Sequence, residues 1–122
     1  MKIPGEEELF SKLPPDMRAY FHFGKIVSFS MEEIYDLEEC DFMYIGKLIL
    51  TDATYTHKIV VNMKGIYGDM HINIGAYVSG LNISNLTTRG FEKSCSYLIS
   101  DFEQSADIKI YCTDLRVSLL ET

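Results

Sequence analysis

Tyr55-Thr-His-Lys-Ile-Val-Val-Asn-Met-Lys64, then Gly65-Ile-Tyr-Gly68, then Asp69-Met-His-Ile-Asn-Ile-Gly-Ala-Tyr77, form the most regular pattern in the chain. In the first segment Tyr55, Ile59, Val61 and Met63 alternate with Thr56, Lys58, Asn62 and Lys64, with His57 in the apolar set and Val60 in the polar one. In the last, Met70, Ile72, Ile74 and Ala76 alternate with Asp69, His71, Asn73 and Gly75. A period of two marks a strand with one buried face, because successive side chains point to opposite sides. Glycines on either side of Ile66-Tyr67 suit a tight turn, which predicts a hairpin. Folded there, Met63 faces Met70, Val61 faces Ile72 and Ile59 faces Ile74, while Lys64 meets Asp69 and Asn62 meets His71 on the other side. A slip of one residue would set apolar against polar side chains along the whole length.

Working outward, Phe42 to Thr51 predicts a third strand. Phe42, Tyr44, Leu48 and Leu50 share one face, and Met43, Ile45, Lys47 and Ile49 the other. Asp52-Ala53-Thr54 turns the chain into Tyr55. A two-residue turn at Asp52-Ala53 would oppose Lys47 and Lys58, so a slightly longer loop is expected. Downstream, Leu81 to Leu86, Ser96 to Glu103, Ile108 to Cys112 and Leu115 to Leu119 read as further strands, interrupted at Thr113-Asp114. Phe91 to Phe102 also fits a helical stripe, through Phe91, Cys95, Leu98 and Phe102.

The N-terminal third reads differently. Glu6 to Leu13 predicts a short helix closed by Pro14-Pro15. Asp16 caps a second helical turn that places Met17, Tyr20 and Phe21 inward, and Gly24 ends it. Lys25 to Phe29 is a strand or a connector. Ser30-Met31-Glu32-Glu33 matches a capping box, Ser at the cap and Glu three residues on. It predicts a helix to about Glu39, with Met31, Ile34 and Leu37 on one side. The expected fold is α+β in a single domain, residues 1–122. An acidic, partly helical segment (1–41) precedes an antiparallel body (42–122), a meander of about five to seven strands with the short helices packed on one face.

Composition places the chain among ordinary globular proteins, 47% hydrophobic and 24% charged. Cys40, Cys95 and Cys112 are odd in number and widely spaced, which predicts reduced thiols rather than a zinc site or a disulfide framework. The acidic start, Met1 to Glu8, is unlike a secretion signal, and no apolar run is long enough to span a membrane. A cytoplasmic protein is expected. Asn82-Ile83-Ser84 and Asn85-Leu86-Thr87 then match the glycosylation sequon by chance.

The net charge of −7 is uneven: residues 1–41 hold ten acids and four bases, residues 42–122 eight acids and seven bases. This argues against a nucleic-acid surface and for attraction to a basic partner. Glu32, Glu33, Asp36, Glu38, Glu39 and Asp41 put six acids in ten residues with no base among them. They form either a solvated helix face or a docking surface for a basic protein. Calcium is disfavoured by the spacing and the missing glycine. Tyr67, at the expected hairpin tip, is either an interface anchor or folded back on the sheet.

No phosphate loop, His-x-x-x-His pair or nucleophile elbow occurs, and no metal or cofactor is expected. His57 falls on an apolar face and is expected to be buried. His71 is expected beside Asn62, near Lys64 and Asp69, as an acid–base site or as an ordinary polar sheet face. A third possibility is an assembly subunit that buries Met43, Ile45, Ile49 and Val60.

Leu81-Asn82-Ile83, Ser100 to Glu103 and Ile108 to Leu115 are similar to terminal hairpins of some small acidic bacterial immunity proteins of toxin systems. That resemblance implies a non-catalytic module that binds and blocks one toxin domain. Many such toxins are basic nucleases, which would suit the acid-rich segment.

Overall fold

The computed structural model describes residues 3–87, 96–103 and 105–120. Within them the chain is antiparallel β with one short α-helix, so the α+β class holds. The strands, however, number eight rather than five to seven and form two sheets rather than one meander. The first sheet contains β1 (Lys25–Asp36), β2 (Asp41–Thr51), β3 (Lys58–Lys64) and β8 (Asp114–Leu119), side by side as β1-β2-β3-β8. The second contains β4 (Tyr67–Ile72), β5 (Leu81–Asn85), β6 (Tyr97–Asp101) and β7 (Ile108–Cys112), in the order β4-β7-β6-β5. Their inner faces enclose the core. Leu48, Leu50, Ile59, Val61, Met63, Leu115 and Val117 come from the first sheet, and Leu81, Ile83, Ile99, Ile108, Ile110 and Cys112 from the second.

The expected hairpin at Gly65–Gly68 does not form. β3 pairs with β2 and β8, placing Val61 against Leu48 and Val117, and Met63 against Gly46 and Leu115. β4 lies in the other sheet, where Tyr67 pairs with Tyr111 and His71 with Lys109. The chain passes between sheets at a corner where two bends lie together. Gly65 has φ of 66°, and Thr113, linking β7 to β8, donates its amide to the carbonyls of Lys64 (3.1 Å) and Gly65 (3.2 Å). A side chain at Gly65 would run into the Thr113 hydroxyl, so both backbone conformation and close approach require glycine there. Strands that switch sheets at a bend are one way a sandwich turns its corners. The alternation holds within Lys58–Lys64 and Tyr67–Ile72, and the interruption at Thr113 lies where expected, but Tyr55 and Ile74, assigned to the buried face, are exposed beyond the strand ends. Apolar partners exist on several strands, so matching two of them did not identify the pair.

The β2–β3 loop is longer than two residues, as expected. Thr51 faces Lys58 and Lys47 faces Asn62. Asp52, buried, organises the loop. It accepts from the amides of Thr56 (2.8 Å) and His57 (3.0 Å) and from the hydroxyls of Thr54 (2.7 Å) and Thr56 (2.5 Å). Burial alone would raise its pKa, but these donors outweigh it and hold the carboxyl well below the usual range. His57 is half-buried with its ring beside the Thr56 hydroxyl (3.1 Å), rather than enclosed in the core.

The helix α1 (Glu6–Ser11) is followed by 3-10 turns at Pro15–Met17 and Tyr20–Phe23. This segment closes an edge of the sandwich instead of covering a face: α1 lies against β8 and the second turn against β5. Leu9, Leu13, Tyr20 and Phe23 enter the core, whereas Phe21 is exposed. The Tyr20 hydroxyl donates to Glu6 (2.8 Å), and burial together with that carboxylate pushes the phenol pKa up.

Residues 25–36 are strand, not the predicted helix from Ser30. A helix there would stack Glu32 under Asp36 with no base nearby, an unfavourable like-charge spacing. Instead Ser28-Phe29-Ser30-Met31 alternates, and β2 supplies a partner over eleven paired positions. Cys95, with the rest of 91–95, falls outside the described residues; the remainder of the ambiguous 91–102 stretch is described, and its Tyr97–Asp101 is strand.

Candidate functional site

The β1–β2 hairpin outruns the sandwich. β3 ends at Lys64, opposite Ile45, and the Ile66 amide makes one more bond, to the Tyr44 carbonyl (3.1 Å). Beyond it, Ile34–Met43, Tyr35–Phe42 and Asp36–Asp41 pair with no third strand beside them among the described residues. At about 3.4 Å per residue, this free ribbon projects roughly 10 Å before its turn. The turn spans Leu37–Cys40, with Cys40 left-handed at φ 53°. Asp36 accepts from the Glu38 amide (2.9 Å), and Asp41 from the Phe42 amide (2.7 Å).

Strand alternation gives the arm two unlike sides. Met31, Glu33 and Tyr35 of β1 and Phe42 and Tyr44 of β2 continue the side that, nearer the body, carries Phe29 and core Leu48. Past the end of the core that side faces solvent. Tyr35 is 50% exposed, Phe42 63%, and Leu37 in the turn 82%. The rings of Tyr35 and Phe42 meet edge to face with centroids 5.1 Å apart. Of eleven exposed large hydrophobic side chains among the described residues, five lie between Met31 and Tyr44, which makes this a patch rather than scattered exposure.

All six acids singled out in the sequence lie on the β1–β2 hairpin, on strands and turn instead of a helix, with Asp36, Glu38, Glu39 and Asp41 on the free arm and Glu32 and Glu33 at its foot. Glu32, Asp36 and Asp41 share the side opposite the aromatic one, Glu33 stands among the aromatics, and Glu38 and Glu39 lie in the turn. None makes an ion pair among the described residues, and no Lys or Arg occurs from Ile26 to Gly46. β1 is also an edge strand. Among the described residues its outer side is bonded only near its start, where Ile26 exchanges bonds with Ala76 (2.9 Å) and Gly75 (2.8 Å). Backbone donors and acceptors from Ser28 to Asp36 are open along that edge among the described residues, a template for an added strand.

Tyr67 is exposed at the foot of the arm, one residue past Ile66, not at a hairpin tip. The other predicted cluster is divided. Asn62 and Lys64 sit on the outer face of the first sheet, while Asp69 and His71 are on β4 in the second, where His71 neighbours Lys109. The structure therefore does not assemble the His71 acid–base arrangement. Of the apolar set on the outer face, Met43, Ile45 and Ile49 are half-buried and Val60 is buried. The sequence reading missed Tyr35 and Phe42 as a site. Their signal was the mirrored order Met31-Glu33-Tyr35 and Phe42-Tyr44 across a four-residue turn.

Among the described residues no group of three His, Cys, Asp or Glu is placed to hold a metal, and no helix is long and apolar enough to cross a membrane. Comparison of the chain with protein-family models, with curated proteins and with solved structures gives no match.

Proposed function

We propose that this chain is a protein-binding module whose β1–β2 arm docks onto a basic partner. One observation carries the reading: an aromatic pair held in the open on a two-stranded ribbon that is acidic on every side and has no base. A two-stranded ribbon gains little stability by itself, and exposing Tyr35, Leu37 and Phe42 to water gains none. Tyrosine and other large aromatics are favoured anchors in interfaces. The six carboxylates speed encounter with a positive surface and reject acidic ones. An immunity-type inhibitor seated on a basic nuclease, the class suggested by the sequence resemblance, is one form of this reading.

The test places a photo-crosslinking amino acid at Phe42 and, as a control on the far sheet, at Lys109, in cells of the source organism. The expected result is one basic protein captured from Phe42 and not from Lys109, and lost when Glu38, Glu39 and Asp41 are replaced by Lys. Capture equal at both positions, or unchanged by charge reversal, would sink the proposal.

A further inference from the structure

We infer that the outer face of the first sheet, at the foot of the arm, is a binding site for a phosphate-bearing small molecule. This site is separate from the aromatic side of the arm. The pairing places Ser30, Lys47, Asn62 and Arg116 in one row across four strands, and Glu32, Ile45, Lys64 and Asp114 in the next. These residues line a concavity of about 790 Å³. That volume falls within the range of small-molecule sites.

Asn62 is the centre of this grid. Lys47 and Arg116 flank it on adjacent strands, each about 4.8 Å away across the ladder, and Lys64 stands two residues along its own strand, about 7 Å off. All four side chains are exposed. Three cationic stems of this length reach a common point above the Asn62 amide, where an anion would meet three positive groups and a neutral donor. None of the three cations makes an ion pair or hydrogen bond among the described residues. Asp114 is the cross-strand neighbour of Lys64, yet the two make no ion pair, and Asp114 makes none with any other described residue.

Electrostatics makes the cluster unexpected on a bland surface. The protein carries seven more acids than bases, so acids to intersperse are plentiful. Gathering three cations around one residue costs mutual repulsion that a bound anion would relieve. Phosphate suits the set, because Arg binds it through a planar fork while Lys acts as a point charge. Ile45, between Glu32 and Lys64, gives the floor an apolar patch, so an organic phosphate should bind more tightly than the inorganic ion. Glu32 and Asp114 at the ends of the second row suit hydroxyl groups rather than further negative charge. Arg116 also borders a smaller concavity lined by Glu7 and Glu8, two acids that Lys47 and Lys64 do not border. Lys47 and Lys64 are therefore the residues to test.

The experiment titrates inorganic phosphate and benzyl phosphate, at constant ionic strength set by chloride, into labelled protein followed by amide NMR. Saturating shifts at Lys47, Asn62, Lys64 and Arg116 are expected, with benzyl phosphate several-fold tighter. Lys47→Gln with Lys64→Gln should weaken both at least tenfold while leaving the remaining spectrum in place. Shifts that do not saturate, that appear equally around Lys109 and His71, or that persist in the double variant would overturn the site. Charge reversal in the arm, at Glu38 and Glu39, should leave phosphate binding intact, so this site and the arm can fail independently.

Discussion

If the arm is an appendage for binding, the protein should fold without it. Replacing Tyr35–Phe42 by Asn-Gly joins Ile34 to Met43, which already face each other, through the two-residue turn most favoured in hairpins. The excision removes four acids and no base, taking the formal net charge from −7 to −3. It forfeits one edge-to-face aromatic contact, worth roughly 1 kcal/mol. It also forfeits the partial burial of Tyr35 and Phe42; because each is half exposed or more, roughly 1 kcal/mol apiece is lost. Relief of the Asp36–Asp41 opposition and a shorter loop return about 1 kcal/mol. The net expectation is a loss of about 1–2 kcal/mol. At a urea slope of roughly 1.5 kcal/mol/M the unfolding midpoint then falls by about 1 M. Circular dichroism during urea unfolding measures it. Leu48→Ala, a single fully buried side chain in the same strand, should cost about 2–5 kcal/mol and sets the scale. A loss above about 4 kcal/mol on excision, or a chain that no longer unfolds cooperatively, would show that the arm supports the fold and refute the reasoning.

Other consequences follow from single residues. Asp52→Asn should cost about 2 kcal/mol, because charged acceptors in buried loops are worth more than neutral ones. Its carboxyl is depressed in the folded state, so the stability it contributes is complete above the ordinary carboxylate pKa, near 4, and disappears as pH falls below that. The gap between wild type and Asp52→Asn in urea unfolding should therefore close on acidification below about pH 4, and a constant gap would reject the assignment. Gly65→Ala combines a left-handed backbone with a clash against Thr113 and should lose about 2 kcal/mol or more, read as a lower thermal midpoint. Cys40 is exposed, whereas Cys112 is buried with its thiol pushed up to about 12, by burial first and then by Asp114. A brief pulse of iodoacetamide at pH 8 should label Cys40 and spare Cys112 in the peptide map.

Much of the strand content was legible because alternation reports which face is buried. Phe42–Thr51, Ile108–Cys112 and the break at Thr113 all lie where period-two patterning put them. Pairing was less legible. Met63, Val61 and Ile59 match Met70, Ile72 and Ile74 on paper, yet they match Leu115, Val117 and Leu119 as well, and the second set wins. A glycine with positive φ serves a corner as readily as a hairpin, so Gly65 could not decide between them. The helix expected from Ser30 was a local signal overruled by a long-range one: a capping box stabilises a helix only if the following residues gain from being helical, and here β2 was available as a partner. The six acids were found as a cluster by composition alone. Their association with Tyr35 and Phe42 needed the hairpin, because six residues of chain separate two side chains whose rings touch.

The arm's makeup also separates what holds a partner from what attracts one. Tyr35 and Phe42 still have half or more of their surface to bury, so docking should stabilise the complex by roughly 1–2 kcal/mol through each. Each acid is exposed and screened, and an exposed ion pair contributes about 0–1 kcal/mol. Phe42→Ala should then raise the dissociation rate about tenfold, while Glu38→Gln should change it less than threefold and act mainly on association. Raising salt from 50 to 500 mM, which shortens the screening length to a few ångströms, should slow association while leaving dissociation nearly unchanged. Surface plasmon resonance with the partner captured from Phe42 separates the two rates. If Glu38→Gln speeds dissociation more than Phe42→Ala does, the carboxylates hold the complex and the aromatic pair does not anchor it.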